Sequence, residues 1–201
     1  MQGDKKMQEF FSRLDPNNAT QKEIENFMRD LLENCALEVA GEKFAFAEIE
    51  IYTSADKNSY KRVSSVGDIF FHNFGFDICF ESSEEAYGGG LVRSLLRFSD
   101  HEIINGPRRC ANTILNIHKP NLSFCLLDAK GSQEADEVSN RVRRADLDES
   151  GNPIDDRRRL TSSEFKDWLE SDKEEAKKYK KAINKYKNGA ENEKSTPNQA
   201  N

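Results

Sequence analysis

Apolar positions along the chain change period several times. From Thr20 the positions Ile24, Phe27, Met28 and Leu31 recur every three or four residues, which predicts an amphipathic helix. Thr20-Gln21-Lys22-Glu23 supplies a capping box at its start. The period then drops to two. Alternating runs predict strands over residues 35–40, 43–53, 68–74, 76–81 and 89–98, with Gly41-Glu42 as a hairpin turn and Gly75 as a bulge or tight bend. Pro107 suits the first turn of a helix that runs through Ile114 and Leu115. Asn121–Leu127 is a short apolar run that predicts another strand. Thr161-Ser162-Ser163-Glu164 can cap a helix carrying Phe165, Trp168 and Leu169. Beyond it, Lys173–Lys187 reads as a Lys/Glu-rich helix with few apolar anchors, and Asn188–Asn201 has the composition of a disordered tail.

This order of elements predicts an α+β protein: a single domain with a curved antiparallel β-sheet, flanking helices and a charged helical C-terminal extension. It divides the chain into a polar segment over 1–19, the α+β domain over 20–130, a variable loop and helix region over 131–170, and a charged helix with a disordered tail over 171–201. Of 201 residues, 33% are charged, and the large apolar residues concentrate in 24–127, enough for a core of about 110–130 residues to fold alone. The net charge of −6 argues against broad, non-specific phosphate binding but leaves room for a local basic patch.

Four widely spaced cysteines with no Cys-x-x-Cys pair give no zinc signature, and no metal or other cofactor is expected. Cys79 and Cys125 read as small core residues. The acidic loop Ala145–Pro153 departs from the calcium-loop pattern. Neither a signal peptide nor a membrane span follows Met1–Lys6, so a cytoplasmic, reducing setting is expected, nucleoid-associated in a bacterium. Without a Walker loop, a GxGxxG turn or a nucleophile triad, phosphoryl and hydride transfer have no support.

The candidate chemistry lies in Phe46-Ala47-Glu48-Ile49-Glu50-Ile51-Tyr52. Strict alternation points Glu48, Glu50 and Tyr52 the same way as Phe44 and Phe46, with Ala45, Ala47, Ile49 and Ile51 on a core face. A carboxylate against apolar surface has a raised pKa unless something pairs with it, which makes it a candidate general base. A neighbouring ring could stack on a planar substrate. The same spacing also fits an edge strand whose glutamates face water.

Glu48-Ile49-Glu50-Ile51-Tyr52 resembles the Glu-x-Glu-x-Tyr strand of the methylpurine (alkyladenine) DNA glycosylase family. Four further segments resemble that family in the same order. They are Asp30-Leu31-Leu32-Glu33 with Ala36-Leu37-Glu38-Val39, Ile69–Gly75 as an aromatic hairpin, Gly90-Leu91-Val92-Arg93, and Gly106-Pro107-Arg108-Arg109-Cys110. The resemblance covers roughly residues 20–130. It implies a monomeric, metal-free enzyme acting on double-stranded DNA with a damaged purine. Glu50 would be the base that activates water and Arg93 would hold that water. Tyr52 and Phe71 would be stacking walls, Tyr60 would stand in for the family's histidine, and Phe74 would enter the duplex gap.

His72 reads either as a substrate contact among these rings or as a hydrogen-bonded packing residue. Candidate phosphate contacts are Lys61, Arg62, Arg97, Arg108 and Arg109, each of which also fits a solvated or salt-bridged position. Arg157-Arg158-Arg159 fits a phosphate-binding or solvated loop. Where the family has an asparagine after its aromatic-Gly pair, this chain has Asp77-Ile78-Cys79-Phe80-Glu81, and its Arg/Gly-rich loop is short. Alternative readings are a non-catalytic protein that keeps the pocket and a protein that handles a small nucleoside.

Overall fold

A computed structural model describes residues 1–56, 59–117, 122–131, 133–136, 138–139 and 158–181. The loop 145–153, Arg157 and the chain from 182 onward lie outside the described residues. The fold is α+β: one curled antiparallel sheet, a half-barrel, with helices packed on both faces. Its elements are α1 (Lys5–Phe11), α2 (Gln21–Asn34), β1 (Cys35–Val39), β2 (Glu42–Thr53), β3 (Ile69–His72), β4 (Gly75–Cys79), β5 (Gly88–Arg97), β6 (Ile103–Asn105), α3 (Pro107–Leu115), β7 (Phe124–Asp128), β8 (Arg159–Thr161) and α4 (Ser163–Glu170). Residues 174–181 form a further helix. The sheet order is β3-β4-β5-β2-β1-β7, with β6 beside β5 and β8 beside β2.

Local chemistry explains most of these boundaries. Thr20 and Glu23 form the reciprocal capping box of α2, and Pro107 occupies the first turn of α3. Ala40 and Gly41 join β1 to β2 with positive φ at both positions, 51° and 91°, so the turn falls one residue earlier than expected. Asn73 and Phe74 form the two-residue tip of the β3–β4 hairpin, which closes at His72 opposite Gly75. Residues 1–19 are not merely polar. Met7, Phe10, Phe11 and Leu14 recur at helical spacing, and α1 buries them in the main core.

Both faces of the sheet are covered. One carries the main core, formed with α1, α2 and α3 and including Phe44, Phe46, Ile49, Ile51, Val92 and Leu95. The other carries a smaller cluster of Ala45, Ala47, Leu96 and Ile103 under Phe165 and Trp168 of α4 and Ala176. These memberships correct the expectation that Phe44 and Phe46 share a face with Glu48 and Glu50. Register explains the change: Phe46 opposes Leu95, Glu48 opposes Ser94 and Ile49 opposes Val92. Ala47 is therefore an extra residue on β2 and Arg93 an extra residue on β5. The paired bulges shift the phase of alternation, so the rings go to the main core and the carboxylates to the opposite face. The edge-strand alternative is also removed, because β8 pairs with β2 at Glu48–Glu50 while β5 runs along its other side.

The first residues tie the sheet together. The Ile69 amide donates to the Met1 carbonyl at 2.6 Å, and the Gly3 amide donates to Gly67 at 3.2 Å. On the far side, the Asp4 amide donates to Phe124 at 3.0 Å, and the Leu126 amide donates to the Asp4 carboxylate at 3.1 Å. The same carboxylate caps α1 through the Met7 amide.

Gly89 is required by close approach. A Cβ there would lie 2.6 Å from Arg62 Nη2 and 2.9 Å from Asp77 Cβ. Gly89→Ala is expected to lower the unfolding free energy by about 1–3 kcal/mol, the usual cost of overpacking. Urea denaturation measures it, and an unchanged midpoint would show that Arg62 and Asp77 yield freely.

Candidate active site

The paired bulges build the site. In regular strands the neighbours Arg93 and Ser94 would point to opposite faces. With Arg93 bulged, both reach Glu48 on the next strand. Arg93 Nε donates to Glu48 Oε1 at 3.1 Å, and Arg93 Nη1 donates to Glu50 Oε2 at 3.1 Å. One planar guanidinium thus bridges both carboxylates. The Tyr52 hydroxyl donates to Glu50 Oε2 at 2.5 Å. Ser94 Oγ donates to Glu48 Oε2 at 2.8 Å and Arg159 Nε to Glu48 Oε1 at 2.6 Å, while Arg159 Nε also stands 3.9 Å from Glu50 Oε1. The Tyr179 hydroxyl donates to Glu48 Oε2 at 3.1 Å.

Glu48 and Glu50 are both 0% exposed and Arg93 is 6% exposed. Two carboxylates and two guanidinium groups balance in charge, which makes burial tolerable. Burial pushes the Glu48 carboxyl up, but Arg93, Arg159 and the Ser94 hydroxyl together outweigh it and hold the group below the usual carboxylate range. Burial likewise works against the charge on Arg93, and Glu50 and Glu48 overcome it, raising this guanidinium well above its ordinary value. The Tyr179 phenol is pushed up to about 12 by burial and by Glu48, so it stays a neutral donor. Within the Glu50–Arg93–Tyr52 trio, only Tyr52 is partly exposed.

A second group of expected residues gathers on the same face. Cross-strand register places Phe70, Asp77, Leu91, Glu50 and Arg159 in one row across five strands. Phe70 is three strands from Glu50, about 14 Å. Around Phe70, the Tyr60 and His72 rings lie 5.0 Å apart and the Phe70 and His72 rings 5.8 Å apart. The Phe74 ring is 6.4 Å from His72. The Phe74 amide donates to His72 Nδ1, so His72 Nε2 carries the hydrogen that faces Asp77 Oδ1 at 3.3 Å. Phe74, at the hairpin tip, is 51% exposed.

Other expected site residues lie elsewhere. Phe71 is on the opposite face, packed against Phe76 and Phe124 at the main core, so it is not a wall opposite Tyr52. Alternation along β3 separates it from Phe70 and His72. Arg62 is half-buried and paired rather than displayed: it donates to Asp77 Oδ2 at 2.9 Å and lies over the Phe70 ring. Arg97 pairs with Glu102 and Asp100, and Arg109 with Glu175. Lys61 and Arg108 are exposed.

Ser94 and Tyr179 are site residues that the sequence reading did not select, and Arg159, expected in a phosphate-binding or solvated loop, instead lies on β8 and donates to Glu48. Ser94 had a readable signal, since it neighbours Arg93 on a strand. The other two join the site only through long-range contacts, 111 and 131 residues from Glu48. Comparison of the chain with known protein families, with curated proteins and with solved structures finds no match.

Proposed function

We propose that the chain is a DNA glycosylase-like hydrolase that releases damaged purine bases from duplex DNA. The observation that carries this reading is the buried Glu50–Arg93–Tyr52 constellation, with aromatic side chains gathered on the same face. Glu50 takes a proton from water. The water oxygen bonds to the sugar C1′ as the N-glycosidic bond breaks and its electron pair leaves with the base. Arg93 holds Glu50 in place, and the Tyr52 ring together with Tyr60, Phe70 and His72 offers π faces to an extruded base. Exposed Phe74 is suited to fill the gap left in the stack.

The test is base release from duplexes carrying hypoxanthine, ethenoadenine or 3-methyladenine at low salt, with Glu50→Gln as the control. Excision by the wild-type protein alone supports the reading. A second reading, a non-catalytic or small-nucleoside-binding protein, is favoured by the net charge of −6 and by the carboxylate partners of Arg62, Arg97 and Arg109. No excision by a folded wild-type protein would select it.

Phe74→Ala separates the hairpin tip from the rest of the fold. It is expected to weaken lesion-duplex binding about tenfold, one lost side-chain contact of about 1.4 kcal/mol. Its unfolding free energy should stay within about 0.5 kcal/mol of wild type. Fluorescence anisotropy and thermal denaturation read the two effects, and unchanged anisotropy would remove Phe74 from the interface.

A further inference from the structure

We propose that the C-terminal segment is a working part of this site, with Arg159 and Tyr179 as positioning residues that act through Glu48 to hold Arg93 against Glu50. The inference rests on the reading of Glu50 as the base. Four donors converge on Glu48: Arg93 Nε, Arg159 Nε, Ser94 Oγ and the Tyr179 hydroxyl. Two of them come from beyond residue 158. Arg93 uses Nε for Glu48 and Nη1 for Glu50, and the guanidinium is a rigid plane. Fixing Nε therefore fixes the direction of Nη1. A loosened Glu48 lets Arg93 turn away from Glu50.

The segment is anchored well enough to act this way. β8 pairs with β2 at Glu48, Ile49 and Glu50. The Ser162 hydroxyl caps α4 by accepting from the Phe165 amide, and Ala176 is fully buried. The Tyr179 ring meets Phe165 at 5.8 Å and Trp168 at 6.3 Å, which leaves its hydroxyl directed at Glu48. The titratable groups facing Glu48 are Glu50 on its own strand, Arg93 on β5, Arg159 on β8, Tyr179 on the 174–181 helix and Cys110 on α3. Burial pushes the Cys110 thiol up, so it stays protonated. Arg159, 2.6 Å from Glu48 Oε1, opposes protonation of that carboxyl.

The experiment follows single-turnover base release from a hypoxanthine duplex between about pH 5 and pH 9. It compares wild type, Arg159→Gln, Tyr179→Phe and Lys180→Gln, the last a surface control paired with Glu170. Arg159→Gln is expected to slow release at saturating duplex about tenfold to a hundredfold, the range for a misplaced catalytic group. Its half-saturating duplex concentration should not change. The acid limb of its profile should move to higher pH, because Glu48 then gains a proton more readily. Tyr179→Phe should slow release less, and Lys180→Gln not at all. Superimposable profiles for folded Arg159→Gln and an active wild type would overturn the proposal. In parallel, carbon NMR of glutamate carboxyls in the ligand-free protein follows Glu48, assigned by its loss in Glu48→Gln. If wild type releases no base, the reading of Glu50 fails. The positioning role then depends on this titration: a raised Glu48 midpoint in Arg159→Gln supports it, and an unmoved one overturns it.

Discussion

Glu50→Gln is expected to slow base release by about 10²–10⁴-fold, the usual contribution of a positioned general base. The amide keeps the shape of the side chain and can still accept from Arg93 Nη1 and the Tyr52 hydroxyl. It cannot take a proton from water. The loss should therefore appear in the rate at saturating duplex while duplex affinity stays close to wild type. The substitution also removes one negative charge from a buried balanced cluster, so its folding must be checked by denaturation before rates are compared. A Glu50→Gln protein that is folded and still excises at the wild-type rate would rule out Glu50 as the base.

Arg93→Ala should be the most damaging substitution for stability. It leaves Glu48 and Glu50 buried with Arg159 as the nearest remaining cation, at 2.6 and 3.9 Å. Breaking a buried pair in this way costs about 3–5 kcal/mol. For a protein of this size that is a fall of about 6–20 °C in Tm. The half-buried Arg97, paired with the more exposed Glu102 and Asp100, is the contrast: Arg97→Ala should cost about 1 kcal/mol or less. The Arg93 effect also has a pH sign. In the wild type the Glu48 carboxyl is held low, so its contribution is present above the ordinary carboxylate range and is lost as pH falls through the native value. Without Arg93 less opposes burial, and that carboxyl moves upward from its native value. The stability gap between the proteins should narrow steadily on acidification. A gap that is constant between neutral and acid pH would show that Arg93 stabilises by packing rather than by charge.

Local signals account for much of what the sequence allowed. The Thr20–Glu23 box, the turn expected at Gly41-Glu42 and found one residue earlier, the aromatic hairpin and Pro107 are all written within a few residues, and the elements they mark formed. The stripe of Met7, Phe10 and Phe11 was equally local and could have revealed α1. β6 and β8 are three residues each, too short for alternation to register. The site itself was half legible. Glu50, Arg93 and Tyr52 were identified as chemistry-bearing and do meet. The face they share was misread, because strict period-two counting has no means of detecting an extra residue at Ala47. Alternation along β3 already separates Phe71 from Phe70 and His72; its role as a stacking wall came from the family resemblance alone, and its ring packs at the main core instead. Arg159 and Tyr179 were beyond reach for another reason: side-chain contacts made across more than a hundred residues leave no trace in local spacing.

Residues 1–4 have a consequence for how copies of this protein meet one another. The outermost strands of a sheet carry backbone groups that a second chain can extend, and that is how folded proteins begin to stack into aggregates. Here β3 and β7, the two ends of the strand order, bond to the same short stretch: Ile69 to Met1, and Phe124 and Leu126 to Asp4. Asp4 contributes an acidic side chain to that stretch, its Oδ1 accepting from the Met7 and Leu126 amides, and acidic residues at a sheet margin discourage a neighbouring strand. The half-barrel thus stops its own lateral growth at both ends with one strap.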